Sequence, residues 1–359
     1  MALTIEQMSS RNIDESFDDK ISNIPSLLVS ADAHVDEPVD LWDVFPADVR
    51  AQLPKLGRPA DDRPRGGFDP KVRLEHMDLD GVRADILYPT AVLRAFTQPK
   101  ETQERAFRLY NDWLADYCRT APDRLFGVPC LSTYDIDQAV EEMQRCADMG
   151  LRGGLIWQVP DPALPLNSRH YDRLWAAASE LDMPVNVHIL SGFTYFKDRG
   201  KLKGAEVVRG AVNTRMHEVM TTVFDLIWYG AFDRYPKLKV ELVECEIGWM
   251  PFMIQQMDYY YTRFSNVGQS QVQEFAISTP PSEIFNNHFY ATFMDDAVGA
   301  HMLKVWGERN CMWSSDYPHG NMTWPHSRSF VAKQIGDLDF ETQTRLTSRN
   351  VIDLYSLEL

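Results

Sequence analysis

The chain has 359 residues, 44% hydrophobic and 25% charged, the proportions of an ordinary globular protein with length enough for a large core. Its 52 acidic and 36 basic residues give a formal net charge of −16, which argues against a nucleic-acid binder, since phosphate affinity rests on clustered Lys and Arg. Five widely spaced cysteines with no CxxC pair argue equally against a secreted disulfide framework and a thiolate zinc site.

Residues 1–24 read as a polar arm, with no basic start followed by an apolar run, so no signal peptide is expected. No window approaches the ~20 apolar residues of a membrane span, and the cytoplasm is the default location. From residue 25 to residue 359 short apolar runs alternate with amphipathic stretches. The runs are LLVSADAH (27–34), ADILYP (84–89), LFGVPCL (125–131), LRGGLIW (151–157), PVNVHI (184–189), LKVELVEC (238–245), FYATFM (289–294) and CMWSSDY (311–317). Between them, stretches such as ETQERAFRLYNDWLADYCRT and IDQAVEEMQRCADMG repeat apolar residues every three or four positions, the mark of helices with one buried face. Gly150, Met183-Pro184 and Tyr235-Pro236 stop three helices just before the next strand.

Eight strands alternating with helices favour a single domain, a distorted (β/α)8 TIM barrel, over an open doubly wound sheet. Two insertions, 35–68 after strand 1 and 192–216 after strand 5, follow strand C-termini, where a barrel builds its active-site rim. They read as a lid and a substrate wall. Trp42, Phe193, Tyr195 and Trp324 are candidate walls of a pocket for an apolar or aromatic substrate. The run MDYYYTRF (257–264) reads as a helix packing face and a contact between copies of a homo-oligomer.

The chemistry lies at strand ends. Strand 1 ends SADAH, which puts Asp32 and His34 on one face by strand alternation; strand 5 ends at His188, and strand 8 at Asp316 with His319 beyond. Strand 6 offers Glu244 or Glu246, and Glu37 follows His34 by three residues. Barrel geometry brings all these ends to one funnel. Histidine nitrogen with carboxylate oxygen suits Zn, Mn or Fe as a divalent ion, with an open position for water or substrate. Four carboxylates and three histidines would be enough for two ions. Glu37 has a plainer reading too, as part of a helix entrance. Arg215 and His217, after strand 5, are weaker candidates for an anionic substrate group, and no phosphate loop or nucleophile elbow is present.

These residues resemble the amidohydrolase superfamily, and more closely its amidohydrolase-2 branch, which includes aminocarboxymuconate semialdehyde decarboxylase and resorcylate-type decarboxylases. The likeness runs over most of residues 27–357 and is carried by ADAHVDEPVDLW (31–42), NSRHYDRLWAAASELDMPVNVH (167–188), VECEIGWMPF (243–252) and SSDYPHGNMTWP (314–325). It implies that Asp32, His34, His188 and Asp316 hold the metal, with Asp316 also handling a proton, assisted by His188, His319 and Glu244. Two positions depart from the branch: Asp32 stands where many relatives have His or Glu, and Glu244 where the decarboxylases have a His. The expected activity is that of a hydrolase or carbon–carbon lyase on a small carboxylated or cyclic substrate. A dinuclear Mn/Fe oxygen-activating monooxygenase comes second, and a catalytically silent partner to a paralogous subunit third.

Overall fold

The computed structural model describes residues 21–56, 64–193, 203–266, 277–306 and 310–359. Eight parallel strands follow one another in chain order: β1 (Leu28–Val35), β2 (Val82–Pro89), β3 (Leu125–Gly127), β4 (Gly154–Ile156), β5 (Val185–His188), β6 (Val240–Val243), β7 (Phe289–Phe293) and β8 (Cys311–Trp313). Each pairs with its sequence neighbours in two runs, β1-β2-β3 and β4 to β8. Backbone hydrogen bonds cross both seams. Between the continuations of β3 and β4 the Leu131 amide donates to the Leu155 carbonyl and the Leu155 amide to the Pro129 carbonyl, and between β8 and β1 the Asp316 amide donates to the Asp32 carbonyl and the His34 amide to the Tyr317 carbonyl. The eight strands therefore form the expected barrel, with bonds all the way round.

The strands are short and almost wholly buried because helices cover them outside and side chains fill the interior. The helices that matter for the site are α1 (Pro70–Asp80), α2 (Lys100–Cys118), α3 (Ala205–Asn213), α4 (Val219–Trp228), α5 (Met250–Asn266), α6 (Ser327–Ile335) and α7 (Asn350–Tyr355). Helix α1 shows why its sequence stops where it does: Asp69 caps it through the Lys71 amide, Pro70 opens it, and Gly81 closes it at φ 76°. A π-turn, Thr214–Glu218, joins α3 to α4. All five cysteines are buried and unbridged, in keeping with a sequence that has no disulfide framework.

The insertion after β1 is pinned down at both described ends. The Asp36 amide donates to the Gly67 carbonyl at 2.8 Å, and Trp42 Nε1 donates to the Pro54 carbonyl at 3.0 Å. Gly66 and Gly67 are needed there, since a Cβ on either would overlap the Tyr317 hydroxyl or the Asp36 carboxylate. Residues 57–63, the middle of the lid read from sequence, and 1–20, most of the polar arm, lie outside the described residues.

A candidate metal centre at the barrel mouth

Strand ends deliver the side chains, as a barrel requires. Asp32 and His34 come from β1, His188 from β5, Glu244 from the residue after β6, and Asp316 and His319 from the turn after β8. Asp316 and Glu244 both adopt the left-handed region, at φ 51° and 58°, and so does Glu246 at 56°. Non-glycine residues enter that region at a cost of about 1–3 kcal/mol, which marks these strand ends as places where side-chain direction is imposed by the surrounding fold.

His34 Nε2 lies 3.3 Å from Asp32 Oδ1, 3.4 Å from Asp316 Oδ1 and 3.2 Å from His188 Nε2. His188 Nε2 is 3.8 Å from both Asp32 Oδ1 and Glu244 Oε2, and His319 Nδ1 is 2.7 Å from Asp316 Oδ1. The ligand atoms fall into two overlapping groups, Asp32–His34–His188 and His34–Glu244–Asp316–His319.

The donor set fits a cation. His34 Nδ1 faces the Pro89 carbonyl at 2.8 Å and His188 Nδ1 the Ile189 carbonyl at 2.6 Å, so each ring carries its proton on Nδ1 and turns a bare Nε2 inward. Two lone pairs then face each other at 3.2 Å, no side chain or amide hydrogen-bonds the Asp32 carboxylate, and Asp316 has only its contact with His319. Buried acceptors converging without donors need a positive charge between them. The electrostatics agree. Burial raises Asp32, but His34 and His188 outweigh it and hold the carboxylate well below its usual range. Burial raises Asp316 to about 7, against the pull of His34 and with the help of Asp32. Burial lowers His188, yet Asp32 carries it up to about 9, so a proton on Nε2 supplies the positive charge that a bound cation would replace. Burial and Asp316 also raise Glu244.

Exposure gives the site a direction. The side chains of Asp32, His34, His188 and Asp316 are fully buried, whereas those of Glu244, His319 and Arg215 are 12%, 16% and 35% exposed. A substrate reaches the quartet past these three. Arg215 stands on the π-turn and donates to Glu244 Oε1 at 2.5 Å and to the Glu244 carbonyl at 3.3 Å.

The remaining expected residues make other contacts or lie outside the described chain. Glu37 joins neither ligand group; its carboxylate accepts the amides of Thr90, Ala91 and Val92 at 2.9–3.1 Å and so caps the turn after β2 instead of opening a helix in its own segment. Trp42 is buried in the core and anchors its own loop, and Trp324 lies 4.7 Å from the His76 ring while its Nε1 donates to the His76 carbonyl. Both large aromatics satisfy their N–H groups on backbone carbonyls and so anchor loops. Tyr195 lies outside the described residues; Phe193 packs partly buried against the core beside β5.

Sequence reasoning missed Arg73. From α1 this buried side chain donates to Asp85 Oδ2 at 2.6 Å, to the carbonyls of His34 and Gly66, and to the Tyr117 hydroxyl. It thereby fixes the backbone that carries His34.

A (β/α)8 barrel with histidine and carboxylate ligands at its C-terminal mouth belongs to the metal-dependent barrel enzymes, and residues 31–357 match the amidohydrolase family Amidohydro_2. The chain is a member of that family and a metal-dependent enzyme. It is 27% identical over 294 residues to the gamma-resorcylate decarboxylase of Rhizobium sp. (strain MTP-10005), covering 79% of this chain and 86% of that protein. Among solved structures, an amidohydrolase from Mycobacterium avium subsp. paratuberculosis K-10 superposes with a TM-score of 0.72 at 20% identity, covering 91% of this chain and 98% of that one. A dihydroxybenzoic acid decarboxylase from Polaromonas sp. JS666, solved with manganese, gives 0.66 at 19% identity, covering 92% and 97%.

Proposed function

We propose that this chain is a divalent-metal-dependent decarboxylase of a small aromatic carboxylic acid. The observation that carries the reading is the buried quartet, two histidine Nε2 atoms and two carboxylates directed at one point. The decarboxylase names of its relatives supply the reaction class. Asp32, His34, His188 and Asp316 would hold the ion, which supplies a Lewis acid to grip the substrate's carboxylate and a neighbouring oxygen. The reaction breaks the bond between ring and carboxylate, releases CO2, and puts one proton on the ring carbon. Asp316 and His319, in contact at the mouth, are the proton source in this reading, and Glu244 lines the opposite side where Arg215 holds it.

This reading takes one ion per chain. The two ligand groups share His34, whose Nδ1 is engaged by Pro89, so its single Nε2 serves one ion. Elemental analysis after loading with Mn2+ is expected to give one equivalent, and CO2 release from a panel of hydroxybenzoates is expected with a subset of them. His319→Asn should lower kcat about 100-fold with the ion retained. Two equivalents of metal with oxygen consumption would replace this reading by the paired-metal oxygenase. Cleavage of esters or amides without CO2 release would replace it by a hydrolase.

The partner we propose is a second copy. Helices α4 and α5 leave an open groove of about 760 Å3, lined by Phe224, Trp228, Phe252, Met253, Tyr260 and Phe264 among others, with no Lys, Arg, Asp or Glu in its lining. Exposed apolar patches beyond a few hundred Å2 mark interaction sites, and an uncharged face is self-complementary, as an isologous contact demands. Phe252→Glu should convert a dimer in size-exclusion chromatography to a monomer; an unchanged wild-type monomer would overturn the proposal.

A further inference from the structure

Beneath the metal centre lies a second cluster of polar side chains with no link to solvent. Asn186 of β5 and Glu241 of β6 are register partners and point into the barrel, where they meet Tyr88 from β2 and Tyr355 from α7. All four are buried, Asn186, Tyr88 and Glu241 completely so. The Tyr88 hydroxyl lies 2.9 Å from Glu241 Oε2 and 2.8 Å from the Tyr355 hydroxyl, and Tyr355 also bonds to Glu241 Oε2. Three oxygens thus touch in three pairs. Asn186 is oriented by the Gly154 amide, which donates to its Oδ1 at 3.0 Å, so its Nδ2 faces the triangle at 2.6–2.9 Å from each corner.

Counting protons settles what the triangle contains. Two tyrosines bring one hydroxyl proton each, enough for two of the three oxygen pairs. A third proton, on Glu241, lets every member of the ring donate once and accept once. The other carboxyl oxygen, Oε1, is buried with no hydrogen-bond partner, and among the described residues Glu241 has no ion pair. An ionised oxygen left bare in a protein core is strongly disfavoured, whereas a neutral carbonyl oxygen there is tolerable.

We propose that Glu241 is a neutral carboxylic acid and a positioning residue, which acts through Tyr88 on the two histidines of the metal centre. Tyr88 pairs in register with His34, and its ring sits 6.2 Å from that of His34 and 5.4 Å from that of His188. Whatever holds the tyrosine ring therefore holds both imidazoles from below. The groups facing Glu241 are Tyr88 from β2, Tyr355 from α7, the Asn186 amide from β5 and, further off, the Asp32 carboxylate from β1. None is a cation. Burial accordingly pushes Glu241 up to about 8, although the hydrogen bonds from Tyr355, Tyr88 and Asn186 favour the charged form. The last residues of the chain thus help set the metal site: Tyr355 closes the triangle from a helix some 170 residues beyond Asn186.

The positioning half of the proposal rests on the metal reading; the protonation half does not, and the tests separate them. In the infrared difference spectrum of wild type minus Glu241→Gln at pH 7, the carbonyl stretch of a protonated carboxylic acid should appear, and its absence overturns the neutral acid whatever the metal does. Glutamine reproduces a neutral acid's shape, so Glu241→Gln should fold and bind Mn2+ within about threefold of wild type. Glu241→Ala and Tyr355→Phe should bind it about 10-fold more weakly or worse, the effect of losing an outer partner of a metal ligand. Failure of Glu241→Gln to fold, or Mn2+ affinity in all three variants equal to wild type, overturns the positioning role. A wild-type protein that binds no Mn2+ but shows the carboxylic acid band would instead remove the metal reading and leave the neutral acid standing.

Discussion

Glu37 shows how near a carboxylate can come to a metal centre without joining it. It lies three residues from His34 and is equally buried, but three backbone amides take up its two oxygens. The neighbouring Thr90 hydroxyl is 3.1 Å from His319 Nε2, so Glu37 shapes the mouth at second hand. Glu37→Ala would strand three amide donors, one buried and two part-buried, and at about 1 kcal/mol for each it should lower the unfolding free energy in urea by about 3 kcal/mol. Its Mn2+ content should stay at the wild-type value; loss of the ion would make Glu37 a ligand after all.

At the scale of elements, the site depends on how the connections are braced. The strand ends that carry Glu244 and Asp316 hold left-handed backbone, and neighbours secure them: the Glu244 amide donates to Thr292 Oγ1 at 2.7 Å, and the Asp316 amide to the Asp32 carbonyl at 3.0 Å. Arg73 braces β1, α1, α2 and the turn at Gly66 at once, and Asp85 is the anion that makes its burial tolerable. Asp85→Ala leaves a guanidinium in the core with no counter-charge, for an expected loss of about 3–5 kcal/mol in urea unfolding. Because Arg73 also holds the His34 carbonyl, the surviving folded protein should bind Mn2+ more weakly. Full affinity in that variant would show that the brace does not reach the metal.

For the whole molecule, buried acids set a pH dependence of definite sign. Burial raises Glu241 to about 8 in the folded chain, against 4.5 for an ordinary glutamate in water. Between those two pH values the native state holds a proton that the unfolded state has released, so stability falls as pH rises through the window and levels off above it. Glu241→Gln lacks that proton equilibrium. The difference in urea midpoint, variant minus wild type, should therefore grow from pH 5 to pH 8, and a constant difference would mean that Glu241 is ionised at pH 5 already.

Much of this was legible in the linear sequence. Apolar runs of strand length, helical periodicity and the Gly and Pro stops are local signals, and they specify eight strands with their helices because burial of one face is a local demand. The spacing in SADAH, VNVH and SSDYPH likewise places Asp32, His34, His188 and Asp316 at strand ends, where any parallel barrel gathers them. What the tertiary structure alone decided is which polar side chains lose their water. Arg73 reads as an ordinary helical cation, Glu241 as one acid in an apolar strand, and Tyr355 as part of a tail; their roles come from partners 12 to 267 residues away. Trp42 and Trp324 read as pocket walls in the sequence, and only packing shows their N–H groups turned to backbone carbonyls. A strand's ends can be read from its own residues, but hydrogen-bond partners and desolvation belong to the folded whole, since both are fixed only when distant segments close over the same side chain.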